Sequence, residues 1–327
     1  MNVKIIGTGS AIPKRRVTNQ ELSRMMDTSD EWIRTRTGIE ARHIAVEATT
    51  TGLATEAAKR ALAMAETEPE EIDIIIAATV TADKFLPNLS CEVQSALGAC
   101  RAVAFDVSAA CSGFLYAVDI ARRYLEAGGS RRALVIGAET LSRIMDWSDR
   151  STCVLFGDGA GAAVLEADEA EEHAGILSTV LGTDGAGGMV LRCDNRRNHN
   201  PYVNGDTALS YVSMNGQEVY KFAVRTVPKV IAGAVEAAGL SMDEIDFFLL
   251  HQANLRIIEA VAKRLHQPME KFPTNLQEYG NISSASVPIL LDNVNNHGMI
   301  GEGSKIVLAG FGAGLTWGAA VLRWQAV

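Results

Sequence analysis

Three side chains of this sequence, Cys111, His251 and Asn281, stand where an apolar segment meets a turn, and their types suit nucleophilic and hydrogen-bonding chemistry. Cys111 lies in AVAFDVSAACSGFLYAV (102–118), which reads as a short strand from Ala102 to Val107, a small-residue turn, then a helix. Phe114, Ala117, Val118, Ala121, Tyr124 and Leu125 recur at helical spacing, and Gly128 and Gly129 stop the helix. A thiol at or just before the first turn of such a helix meets unpaired N–H groups and the positive end of the macrodipole. That setting lowers a thiol pKa and makes a nucleophile; the plainer reading is a small buried residue. His251 closes the apolar run from Phe247 to Leu250, where an α/β sheet opens into its site. It suits a base or a hydrogen-bond donor, or else a capping or core role. Asn281 in YGNISSASVPILLDNV (279–294) precedes small residues that open an apolar helix. Its amide could donate to a developing oxyanion, or serve as a plain N-cap. In GFGAGLTWG (310–318), glycines let backbone N–H groups approach a substrate, or make a tight turn.

Positioning these groups requires a large α/β frame. An Ala-rich helix from Thr51 to Glu66 leads into EEIDIIIAATV (70–80), and a second Ala-rich helix (227–240) leads into DEIDFFLLHQA (243–253). VLFGDGAG (154–161) and VLAGFGAG (307–314) also echo one another, with AAVL after both. The two echoes keep the same order, which argues for an internal duplication with halves 1–170 and 171–327, divided in the acidic stretch from Glu166 to Glu172. Alternating strands and helices imply mostly parallel sheets buried by helices. The opening residues give a strand from Val3 to Ile6, then a polar helical stretch from Thr18 through Arg34. The polar segment from Gly182 to Gly205 reads as a surface excursion or lid. It lacks the P-loop pattern, and no dinucleotide fingerprint occurs.

Composition narrows the function classes. The 327 residues are 47% hydrophobic and 21% charged, with ample core. The net charge of −9 argues against nucleic acid as a bulk partner. The N-terminus lacks the charged and apolar regions of a signal peptide, and no apolar run approaches the roughly 20 residues that cross a membrane. Five cysteines without paired metal-type spacing point to a reducing cytoplasm and to no metal site.

The four segments around Cys111, His251, Asn281 and the C-terminal glycine loop, in this order, resemble β-ketoacyl-acyl-carrier-protein synthase III, the initiating condensing enzyme of type II fatty acid synthesis. The resemblance spans essentially the whole chain. It implies the α/β thiolase-like fold, two pseudo-repeated halves in a five-layered αβαβα sandwich. It further implies that Cys111 takes an acyl group from acyl-CoA, without a cofactor, and that malonyl-acyl carrier protein then condenses with loss of CO2. His251 and Asn281 would stabilise the enolate, and the N–H groups of Cys111 and Ala313 would form the oxyanion hole. Many relatives carry glycine at the place of Ala313. The resemblance also implies coenzyme A contacts: Trp32 and Arg150 around the adenine, Arg36 on the phosphates and Asn254 on the pantetheine arm. For the acidic carrier protein, Arg256 comes first, then Lys263 and Arg264, with Lys221 and Arg225 behind them. Relatives are homodimers, so Phe85 or Leu86 of KFLPN (84–88) would reach across to the partner's acyl pocket. The nearest alternative is a condensing enzyme of secondary metabolism with an unusual acyl or aroyl primer. Relatives that make hydroxymethylglutaryl-CoA use a glutamate upstream of the cysteine, which ATVTADKFLP (78–87) lacks. A thiol-redox protein would need a resolving cysteine, and no C-x-x-C occurs. A silent scaffold would be expected to lose one of the three site residues.

Overall fold

The computed structural model describes residues 2–168, 174–195, 199–205, 208 and 210–325. The first half opens with β1 (Asn2–Ala11), β2 (Arg15–Thr18), α1 (Asn19–Leu22), α2 (Asp30–Thr37) and β3 (Ala41–Ile44). It continues with α3 (Thr50–Met64), β4 (Ile74–Ala78), α4 (Leu89–Leu97), β5 (Val103–Val107), α5 (Gly113–Glu126), β6 (Arg132–Thr140) and β7 (Asp158–Asp168). The second half begins with β8 (Gly175–Thr183) and four two-residue strands, β9 (Leu191–Arg192), β10 (His199–Asn200), β11 (Val203–Asn204) and β12 (Ser213–Met214). Then come α6 (Gly216–Ala237), β13 (Phe247–Leu250), α7 (Leu255–Leu265), α8 (Leu276–Tyr279), α9 (Ser286–Asn296), β14 (Lys305–Gly312) and β15 (Thr316–Arg323).

Two sheets carry the structure, in the orders β1-β7-β6-β4-β5 and β8-β15-β14-β13. Strand periodicity explains the layering, because the central strands are apolar on both faces. Ile74, Ile76 and Val135 point inward to a core shared with Leu249, Ile306 and Leu308 of the other sheet. Their neighbours Ile75, Ala77, Leu134 and Ile136 point outward onto α3 and α4. On the far side, Phe248, Leu250, Val307 and Ala309 pack against α6 and α7. Helices α5 and α9 fill the shared central core. The result is the expected five-layered αβαβα sandwich.

The expectation of mostly parallel sheets is corrected. Only the β4–β5, β4–β6 and β13–β14 pairs are parallel in the two main sheets; β1–β7, β6–β7, β14–β15 and β8–β15 are antiparallel. A three-residue hairpin joins β14 to β15, a connection available only to antiparallel strands.

The two halves repeat in detail. Ile72-Asp73 and Ile245-Asp246 each follow a short 3₁₀ turn with a capping box, Pro69–Glu71 and Met242–Glu244. The second echo is half right. GAAVL occupies β7 at 161–165 and β15 at 318–322, but VLFG (154–157) precedes its strand whereas VLAG (307–310) lies within β14. The hairpin connection is Ala313, Gly314 and Leu315, and LTWG separates the glycine string from AAVL in the second half but not in the first, so the shared string is not a structural match throughout. The division at residue 170 lies outside the described residues.

Local chemistry moves several boundaries. The polar stretch from Thr18 to Arg34 is broken into α1 and α2, because Thr18 and Ser29 each cap a separate helix by accepting from Glu21 N and Trp32 N. The helix expected over 227–240 begins eleven residues earlier, where Asn215 caps it by accepting from Glu218 N. Gly182 and Thr183 belong to β8 rather than to the excursion, and residues 196–198 of that segment lie outside the described residues.

Candidate active site

Cys111 sits in a 3₁₀ turn, Ala110–Ser112, that runs straight into α5. Ala110 takes φ +47°, and the equivalent turn before α9, Ser283–Ala285, repeats it with Ser283 at φ +45°. The helix that follows Asn281 is therefore the structural counterpart of the helix that follows Cys111. The Gly-rich end of β14 presses on Cys111. A Cβ at Gly312 would come 2.7 Å from Cys111 N, and one at Gly310 would come 3.2 Å from Cys111 O. These glycines let the backbone approach Cys111 closely, and their loop makes the tight turn between strands that was the alternative reading of this segment.

One cavity of about 670 Å³ brings the three side chains together. Cys111, His251, Asn281, Phe311 and Gly312 line its buried end, while exposed Arg36, Lys221 and Arg256 stand at its mouth. Asn281 is held by its backbone, with N donating to Leu155 O and O accepting from Gly157 N, both at 2.9 Å. Its side-chain Oδ1 accepts from Ser283 N at 2.8 Å. The amide NH2 is thereby left as the donor. His251 N donates to Ala309 O at 2.8 Å, and its ring packs edge-on to Phe311 with centroids 5.5 Å apart. Nδ1 is buried without a hydrogen-bond partner.

Electrostatics corrects the expectation of a low thiol pKa. Burial pushes the Cys111 thiol up to about 12, against a hydrogen bond from Ser283 that lowers it, and the Glu139 charge adds to the rise. Burial likewise depresses His251 to about 3. The helix N-terminus does not outweigh desolvation in this closed pocket. Both groups are neutral near pH 7, so the geometry offers a thiol and a neutral imidazole rather than a thiolate–imidazolium pair.

Several contributors escaped the sequence reading. Glu139, on β6, is fully buried and accepts from Val80 N at 3.1 Å, Thr81 Oγ1 at 2.5 Å and Ser284 Oγ at 2.9 Å. Its signal was a lone carboxylate ending the buried run ALVIGAE, and burial holds its pKa above the usual carboxylate value. Phe156 bridges to Asn281 and walls the cavity, as do Leu191 and Met214, which bring the β9–β12 pair to it. Nothing in the spacing of those residues marked them.

The outer residues are placed as follows. The Arg36 and Arg150 guanidiniums lie 4.7 and 5.1 Å from the Trp32 ring centroid. Arg150 also bonds Asp27, so an adenine between Trp32 and Arg150 requires that guanidinium to move off the ring. Asn254 lines the cavity but is already engaged: Oδ1 caps α7 at Arg256 N (2.9 Å) and Nδ2 donates to Arg36 O (3.0 Å). Lys263 and Arg264 are exposed in the last turn of α7, and Arg225 is exposed on α6. Phe85 and Leu86 are 77% and 86% exposed, outside the cavity of this protomer. Ala313 stays outside the left-handed region, so alanine fits there without strain. Among the described residues, no group of three acidic, His or Cys side chains could hold a metal ion. Among the same residues, no helix is long and apolar enough to cross a membrane.

Two family models match: the 3-oxoacyl-[acyl-carrier-protein] synthase III model over residues 105–185 and its C-terminal model over 235–324. The chain is 46% identical to the β-ketoacyl-[acyl-carrier-protein] synthase III of Clostridium acetobutylicum over 324 residues, 99% of both chains. The chain belongs to the β-ketoacyl-acyl-carrier-protein synthase III family. Its structure superposes on the synthase III of Aquifex aeolicus with a TM-score of 0.92 and 47% identity, covering 99% of this chain and 100% of the other. A priming β-ketosynthase of a polyketide pathway gives the same TM-score at 36% identity, covering 99% and 97%. The fold is thus that of the thiolase-like condensing enzymes, which the sequence resemblance anticipated.

Proposed function

We infer that this chain is an acyltransferase of the synthase III type, which loads an acyl group from acyl-CoA onto Cys111 and condenses it with malonyl-acyl carrier protein. The observation that carries this is the convergence of Cys111, His251 and Asn281 on the buried end of one cavity whose mouth is cationic. In the first stage, Cys111 Sγ attacks the thioester carbonyl. The developing oxyanion lies against the N–H groups of Cys111 and Ala313, and coenzyme A leaves with the thiol proton. A thiol as basic as Cys111 loses its proton as the C–S bond forms, so preorganised N–H donors rather than a standing thiolate carry the stabilisation.

In the second stage, the malonyl carboxylate leaves as CO2 and the thioester becomes an enolate. The Asn281 amide and the neutral His251 ring donate to that oxygen. A neutral donor suits this work because it gives no proton away to the enolate, whose carbon must stay nucleophilic. The enolate carbon attacks the acyl-Cys111 carbonyl, and thiolate release followed by protonation regenerates the thiol. Arg36, Trp32 and Arg150 suit an adenine nucleotide by stacking and bidentate charge. Arg256, Lys263 and Arg264 suit an acidic carrier protein. Phe85 and Leu86, with exposed Val103 on the edge strand β5, suit a second copy of the chain.

Intact-protein mass spectrometry with a panel of acyl-CoAs, using Cys111→Ala as control, tests this reading. A single adduct on the parent, absent from the variant, supports it and identifies the primer. The likeness to a polyketide-priming synthase favours one further reading, in which only long or aromatic donors leave an adduct.

A further inference from the structure

Arg42, on β3, is fully buried, yet among the described residues it forms no ion pair. Burying a lone cation is costly: burial, with a smaller push from the Arg16 charge and against an opposing one from Cys153, draws this guanidinium down to about 10. Its hydrogen bonds go instead to backbone. Nη2 donates to Val154 O at 2.7 Å and Nη1 to Val17 O at 3.2 Å, while Nε has no partner.

Val154 begins the segment 154–157, which is the strip that holds Asn281 through Leu155 O and Gly157 N. The stem of Arg42 lies under the same strip. A Cβ at Gly157 would come 3.3 Å from Arg42 Cβ, and one at Gly280, where φ is +66°, would come 3.4 Å from it. Arg42 therefore supports both glycines next to this contact with its stem and pins the adjacent carbonyl with its head. Cys111 is reached only at one remove: its turn runs into α5 and lies against the end of β14, and its link to the Asn281 segment is the Ser283 hydroxyl.

We propose that Arg42 is a positioning residue for decarboxylation, fixing the strip 154–157 and, through the hydrogen bonds that Leu155 O and Gly157 N make to the Asn281 backbone, the placement of the Asn281 amide. The proposal rests on the reading of Asn281 as a donor to the enolate. It explains why the chain keeps a buried cation with no anion: a guanidinium can bond two carbonyls on separate segments while its stem fills the gap between them. A misplacement of about 1 Å at a reacting group can cost about 100-fold in rate, so a loose strip would be felt in the second stage.

The two stages can be read separately, as the rate of the Cys111 acyl adduct by intact mass and as CO2 release from malonyl-acyl carrier protein. Arg42→Met keeps the stem and removes the donors. Its acyl loading stays within about twofold of the parent, while kcat for CO2 release falls at least about tenfold with KM nearly unchanged. Arg42→Lys, the milder change, recovers part of that loss and carries the same comparison should the Met variant fold poorly. Adding Arg42→Met to Asn281→Ala slows CO2 release little further, since both act through one group. The proposal is overturned if both stages fall by one common factor, if neither falls, or if the double variant loses the full product of the two effects. Asn281→Ala separates the two layers of the argument. If it releases CO2 at the parent rate, the reading of Asn281 fails; if it is crippled while Arg42→Met is normal, the positioning alone fails.

Discussion

Cys111 and His251 are shaped more by burial than by each other. The thiol is driven up and the imidazole down, and no charge partner links them. Replacing His251 or Asn281 by alanine is therefore expected to spare acyl loading and to cut CO2 release by about 100-fold or more, the usual loss when a preorganised oxyanion donor is removed. Separate assays of the two stages check this. His251 also leaves a mark on stability. Its folded pKa is about 3 against 6.5 for the free side chain, so the unfolded chain takes up a proton that the native state refuses. Native stability falls as pH drops from about 6.5 toward 3, by up to about 1.4 kcal/mol per unit from this group. Thermal unfolding across that range should show the decline, and it should be shallower in a His251→Gln variant.

Two equivalent turns, each with a non-glycine residue at positive φ, launch α5 and α9 from opposite halves of the molecule. They place Cys111 on one helix start and the Asn281 segment beside the other. The end of β14 closes the site over them, and Gly312 has no room for a side chain there. Gly312→Ala, with its new Cβ 2.7 Å from Cys111 N, must displace the backbone of Cys111. Acyl loading should fall by at least about tenfold while the protein still folds, as timed intact-mass measurements and circular dichroism would establish. At this scale the sequence was legible where one signal dominated. The apolar runs that form β4 and β13, the glycine stop after α5 and the small-residue turns located the elements. Antiparallel pairing was hidden because strands buried on both faces read alike whichever way they run. Glu139, Phe156 and Arg42 were hidden because their roles depend on contacts between residues far apart in the chain.

At the scale of the whole molecule, a net charge of −9 coexists with a cationic mouth formed by Arg36, Lys221 and Arg256. An acidic partner must be drawn to that local patch against the overall field, so the interaction should weaken as salt shortens the Debye length below about 10 Å. Arg256→Ala is expected to raise KM for malonyl-acyl carrier protein several-fold at low salt, with the difference shrinking at high salt and loading from acyl-CoA unchanged. Steady-state kinetics over a range of ionic strength checks it. The duplication and the order of site segments made the family legible, since few chains carry a helix-start cysteine, a strand-end histidine and a turn asparagine in that sequence. Primer preference was not, because in the proposed reading the pocket's far wall comes from Phe85 and Leu86 of a second copy. The central claim is that Cys111 is the acyl acceptor of this cavity. Intact mass after incubation with acyl-CoAs should show one acyl group on the parent protein and none on Cys111→Ala; an adduct that persists in the variant, or none from any donor, would contradict it.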